Sequence, residues 1–182
     1  MAKHSMKCHP DTPTKLVDDF TVEIERQGPG HIWIRYHVEA PVDDLELGLP
    51  GEPDRQDELW RTTCFEAFVR EAGCDSYLEF NFAPSSAWAA YSFAGYREGM
   101  NLLPMASVPE LGNDASDNHF ALEAIFELPS HLRDSALEVA ITAVIEELDG
   151  SKSYWSLAHP SGAPDFHHPD CFTLRLPARA DP

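Results

Sequence analysis

Basic residues are scarce in this chain: 13 Lys and Arg stand against 31 Asp and Glu, for a formal net charge of -18 at pH 7. Non-specific attachment to nucleic acid is supplied mainly by basic side chains that release counterions, and anionic lipid surfaces are held in the same way. Neither a nucleic acid nor a membrane is therefore an expected partner. The acidic residues are spread along the chain rather than gathered into a tail, a distribution that serves solubility. Nowhere do about eighteen apolar residues run together, and no signal-peptide core is visible in the opening MAKHSMKCHPDTPTK, so the expected location is cytoplasmic. Cys8, Cys64, Cys74 and Cys171 lie too far apart for a CxxC pair and read as reduced, buried thiols. The sequence has no Gly-rich phosphate loop, no GxSxG and no Cys–His signature, which moves nucleotide binding and the common nucleophile families out of the front rank.

What is present is ordinary globular composition, 43% hydrophobic and 10% aromatic, in a length that suits one domain over residues 1–182. Residues 1–15 are expected to form a loosely ordered N-terminal extension. In DFTVEIER, Phe20, Val22 and Ile24 alternate with polar residues, and HIWIRYHVEA repeats the pattern with Ile32, Ile34, Tyr36 and Val38 on one side. This two-residue period predicts a hairpin over residues 18–39. CFEAFV, YLEFNFAP and SSAWAAYSF read as three further strands, with AGCD as a hairpin loop. Residues 101–118, rich in Pro, Gly, Asn, Asp and Ser, read as a long connection or a poorly formed edge. HFALEAIFELP, LEVAITAVIEEL, SYWSLAHP and CFTLRLP complete the run. Roughly nine strands without interleaved helices predict an all-β fold, a jelly-roll-like antiparallel β-sandwich.

The stretch HPSGAPDFHHPDCF, residues 159–172, concentrates His, Asp and Cys between two apolar runs. As a zinc site it lacks a recognised ligand spacing, and His167 and His168 on an extended backbone point to opposite sides. No tightly bound cofactor is expected; calcium at an Asp- or Asn-rich loop is the one structural ion kept open. As a plain connection the stretch does not account for Trp155, Phe166, His167 and His168 within so few residues. A sugar presents C–H faces and a hydroxyl rim, and asks for aromatic platforms beside carboxylate, amide, Arg or His partners. Trp60, Arg61, Glu66, Asn81, Trp88, Tyr91, His159, Asp165, His167 and His168 are the candidates for such a ligand site.

ELWRTTCFEAFV, then YLEFNFAPSSAWAAYSF, then YWSLAHPSGAPDFHHPDCFTLRL resemble the bacterial DOMON-like proteins, relatives of the family 9 carbohydrate-binding modules. Trp60, Glu66 and the run Tyr77–Pro84 carry the likeness, which extends from Glu58 to Leu176. The resemblance implies a jelly-roll sandwich that binds a ligand without catalysing its conversion, sugars and haem being the ligand classes of the wider group and calcium a structural ion of the sugar-binding modules. The reading taken is a non-catalytic binding domain for a carbohydrate or similar polar small molecule. Two others stand beside it. One is a hydrolase or lyase built on His159, Asp165, His167 and His168, with or without a metal. The other is a haem protein using Met100, Met105 or a histidine, although no CxxCH is present.

Overall fold

A computed structural model describes residues 2–28 and 30–179. Its strands, in chain order, are β1 (His4–Ser5), β2 (Lys7–Cys8), β3 (Asp19–Gln27), β4 (His31–Glu39), β5 (Asp54–Arg55), β6 (Cys64–Glu71) and β7 (Tyr77–Phe82). They continue with β8 (Ala87–Phe93), β9 (Asn101–Leu102), β10 (Glu110–Ser116), β11 (His119–Glu127), β12 (Leu137–Glu146), β13 (Lys152–Ser156) and β14 (Leu174–Leu176). Among the described residues the only helical pieces are four short 3-10 turns, and no helix is long and apolar enough to cross a membrane. The strands form two sheets. The smaller runs β1-β3-β4-β11-β10, and the larger β2-β13-β12-β6-β7-β8-β5, with β14 also on β12 and β9 also on β8. Every pairing is antiparallel except the two-residue contact of β5 with β8. The fold is the expected antiparallel β-sandwich.

The core between the sheets is built by alternation. Phe20, Val22, Ile32, Ile34, Tyr36, Val38, Phe120, Leu122 and Phe126 of the smaller sheet meet Phe65, Val69, Phe80, Phe82, Val139 and Ile141 of the larger. Tyr36 is fully buried there, which a phenol tolerates when its hydroxyl is paired, and it donates to the Glu66 carbonyl at 2.8 Å. That bond links the smaller sheet to the strand that carries a candidate site residue.

Several expectations need correction. The first residues do not dangle: β1 pairs with β3 and β2 with β13, so the segment bridges both sheets, and Met6 between them is buried in the core. Residues 110–116 form a full edge strand on β11 despite being almost wholly exposed. Between β4 and β5, Leu45 makes an isolated bridge to Glu147. The stretch 157–173 contributes a long loop and one 3-10 turn (Pro169–Cys171), and β14 is only three residues long.

Candidate functional site

The larger sheet is unusual in being buried on both faces. β6 and β7 read as continuous apolar-rich runs with no exposed position from Cys64 to Val69 or Tyr77 to Phe82. One face belongs to the core; the other carries Cys64, Phe68, Tyr77, Ala89, Tyr91, Phe93, Ala140 and Val144 and is covered by Phe166, Cys171 and Phe172. The histidine-rich stretch therefore straps across the outer face of the sheet. Under one side of this strap lies a cavity of about 440 Å³, within the roughly 300–1,000 Å³ of small-molecule sites. Trp60, Tyr91, Phe93, Met100, Tyr154 and Phe166 supply apolar wall, and Glu66, Glu79, Arg97 and His167 supply polar groups.

Strand register explains the floor. Thr142, Glu66, Asn81 and Ala89 are successive cross-strand partners in one row, and Ala140, Phe68, Glu79 and Tyr91 form the next. Glu66 and Glu79 thus sit on the same face as diagonal neighbours, close enough for long side chains to interact. Thr142 donates to Glu66 Oε2 at 3.0 Å. Asn81, with no exposed surface, donates from Nδ2 to Glu79 Oε1 at 2.8 Å, while its Oδ1 has no partner. Burial, with the charge of Glu79 adding to it, raises Glu66 to about 8; burial raises Glu79 to about 7, opposed by Asn81 and Arg97. Two buried like charges side by side are costly, so the pair retains a proton near neutral pH.

His167 is held from three sides, by the rings of Phe68, Tyr77 and Phe93. Burial, reinforced by the Arg97 charge, lowers it to about 4, so it is neutral. The Tyr77 hydroxyl accepts from the Arg97 N–H at 3.2 Å and is hydrogen-bonded to His167 Nδ1 at 2.8 Å. His167 Nε2 faces Glu79 Oε2 at 3.9 Å. With the imidazole neutral, this contact is not an ion pair. Asp165 ties the strap to the 94–99 loop: it accepts from Arg97 Nη2 at 2.7 Å, from the Tyr96 hydroxyl and from the His167 N–H at 3.2 Å. Burial acts to raise Asp165, but the Tyr96 and Arg97 hydrogen bonds outweigh it and hold the carboxylate low. Tyr91 donates to Asp57 at 2.8 Å. The backbone is left-handed at Arg97 and at Glu58, which opens the 3-10 turn (Leu59–Arg61) presenting Trp60. Non-glycine residues adopt that conformation at a cost, here at two sites beside the cavity.

The candidates read from the sequence thus divide. Trp60, Glu66, Tyr91 and His167 line the cavity; Asn81 lies on the same sheet face, and Asp165 braces Arg97. Arg61 is at the rim, paired with Glu58 at 2.7 Å and 5.3 Å above the Trp60 ring. Trp88 is on the other face, in the core beneath the Arg55 guanidinium, as it must be when Tyr91 three residues later points outward. His159 is apart from the cavity: its Nε2 meets the Lys7 carbonyl at 2.8 Å and its ring packs edge-on against His9. His168 caps the Pro169–Cys171 turn by accepting from the Asp170 N–H. The His/Asp cluster imagined for a hydrolase or lyase is therefore split by the fold. Among the described residues no group of three or more His, Cys, Asp or Glu is placed to hold a metal ion. Glu79, Arg97, Phe93 and Tyr154 are further lining residues. Glu79 was open to the parity argument, being two residues from Asn81, whereas Arg97 sits in a loop without periodicity.

The fold of this chain is similar to that of solved carbohydrate-binding proteins. A putative carbohydrate-binding protein from Bacteroides uniformis matches over 94% of this chain and 84% of its own, with a TM-score of 0.70 and 15% identity. A family 9 carbohydrate-binding module from Caldicellulosiruptor kristjanssonii, solved with cellotriose, matches over 99% of this chain and 84% of its own, with a TM-score of 0.60 and 11% identity. No protein-family model and no curated protein sequence matches the chain.

Proposed function

We propose that this protein is a non-catalytic binding domain for a carbohydrate, held in the cavity on the outer face of the larger sheet. The observation that carries the reading is the composition of that cavity: aromatic wall from Trp60, Tyr91, Phe93, Tyr154 and Phe166 around a polar floor of Glu66, Glu79 and His167. Flat apolar surface suits the C–H faces of a sugar ring, and the Glu66 and Glu79 carboxyls and the His167 imidazole offer hydrogen-bonding groups to its hydroxyls. Trp60, 49% exposed at the rim, is available to cover a ring entering from solvent. The fold-level likeness to sugar-binding proteins supports the same reading, and the DOMON-like relationship is its finer form. Trp60→Ala is expected to weaken oligosaccharide binding in calorimetric titration by about 1–3 kcal/mol while shifting folding stability by no more than about 0.5 kcal/mol, as for other exposed positions. Unchanged affinity in a variant that folds normally would remove the cavity from the proposal.

A further inference from the structure

The floor of the cavity holds more negative charge and more acceptor atoms than a neutral sugar needs. Glu66 is 2% exposed and Glu79 6%, and the Glu66–Asn81 and Phe68–Glu79 register places the two carboxyls beside one another on the cavity side of the sheet. Between them Asn81 spends its amide hydrogen on Glu79 and leaves Oδ1 buried without a donor. A buried acceptor with no partner is costly, and a carboxylate pair that must keep a proton is an incomplete arrangement in the same sense. Both conditions are relieved by one group, a cation with several hydrogens to give. The nearest fixed cation does not fill that place, because Arg97 is already tied to Asp165 at 2.7 Å. The aromatic wall, Trp60 and Tyr91 among it, suits the same group, since ring faces attract cations in a water-poor pocket.

Resting on the carbohydrate reading above, we infer that the ligand class of this site is an amino sugar with a free ammonium group, which enters the floor between Glu66 and Glu79 and donates to the unpartnered Asn81 Oδ1. The ammonium takes the place of the proton that the two carboxyls otherwise share. Both carboxylates are then ionised against it, and its three hydrogens match Glu66, Glu79 and Asn81. An N-acetyl group has one N–H and no charge, and a hydroxyl one hydrogen, so neither completes the floor.

The test is calorimetric titration of the intact protein at pH 7 with three β-1,4-linked trisaccharides that differ at the 2-position: glucosamine, N-acetylglucosamine and glucose. The amine form is expected to bind at least about tenfold more tightly than the glucose form, the difference between charge-assisted and neutral hydrogen bonds. Repeating the titration in buffers of different ionisation enthalpy is expected to show proton release with the amine and none with the neutral sugars. Glu66→Gln is expected to reduce the amine preference, the ratio of the amine to the glucose affinity measured in the same variant, to below about threefold. Glu79→Gln is the second variant should the first fail to fold. Equal affinity for amine and hydroxyl forms would overturn this inference and leave the sugar site standing. So would a preference that survives both variants and disappears in high salt, which would assign it to the overall negative charge. Binding of none of the three would overturn both this inference and the carbohydrate reading.

Discussion

Glu66 and Glu79 concentrate in two side chains a conflict between stability and function. Their folded values, about 8 and about 7, lie above the ordinary 4.5. Their contribution to stability is therefore complete below pH 4.5 and is lost as pH rises through 7 and 8. His167 acts in the opposite sense: its folded value of about 4 lies below 6.5, so its contribution is complete above pH 6.5 and is lost as pH falls through 4. Between pH 4.5 and 6.5 two carboxyls lose stability while one imidazole gains it, so with these three groups alone the melting temperature is expected to peak close to pH 4.5 and to fall above it. Glu66→Gln keeps the shape and the Thr142 partner but cannot ionise. It is expected to remove a fall in stability on the order of a few kcal/mol between pH 6 and pH 9. Differential scanning fluorimetry across that range checks it, and a variant curve that falls as steeply as the parent's would contradict the assignment. Residues that carry this chemistry were partly legible in the sequence. Glu66, Asn81 and Tyr91 are found by strand parity together with the need for polar groups beside aromatics. The same parity puts Trp88 opposite Tyr91, so proposing both for one site was inconsistent with the alternation itself. His159 was misplaced for another reason: sequence proximity to His167 says nothing of which way a Pro- and Gly-rich loop turns, and the Lys7 carbonyl holds it elsewhere.

At the scale of elements, legibility followed the number of buried faces. β3, β4 and β11 have one face in the core and one outward, and their alternating burial is printed in the sequence as Phe20-Val22-Ile24, Ile32-Ile34-Tyr36 and Phe120-Leu122-Ala124. β6 and β7 are recognisable as strands, but with both faces covered their polarity no longer tells core from outer face. Glu66 and Glu79 are the exceptions that mark the second face. β10 left no apolar trace because it is an exposed edge held by its backbone pairing with β11. The N-terminal strands were missed because each is only two residues long, too short for any period. Their value lies in Met6, which is 6% exposed and sits in the core between the two pairings. Met6→Ala is expected to destabilise the fold by about 2–5 kcal/mol, the usual cost of truncating a buried side chain of this size. Urea unfolding measures it; a change below about 0.5 kcal/mol, as at an exposed surface position, would show that the N-terminal segment is not part of the core.

For the molecule as a whole, one sheet serves two layers. Its inner face completes the sandwich core, and its outer face, covered by a strap from about a hundred residues later in the chain, becomes the wall and floor of a cavity. The strap answers the question its own composition poses: Phe166 and Phe172 seal the sheet, Asp165 fastens the 94–99 loop, and His167 reaches the floor. The most direct measurement is an amide proton–nitrogen NMR titration of the protein with β-1,4-linked gluco- and glucosamine-type trisaccharides. Saturable shifts are expected, confined to residues around Trp60, Tyr77–Asn81, Tyr91–Arg97 and Pro164–His167. Shifts that centre instead on the exposed β10 edge, or no shifts at millimolar sugar, would contradict the proposed site.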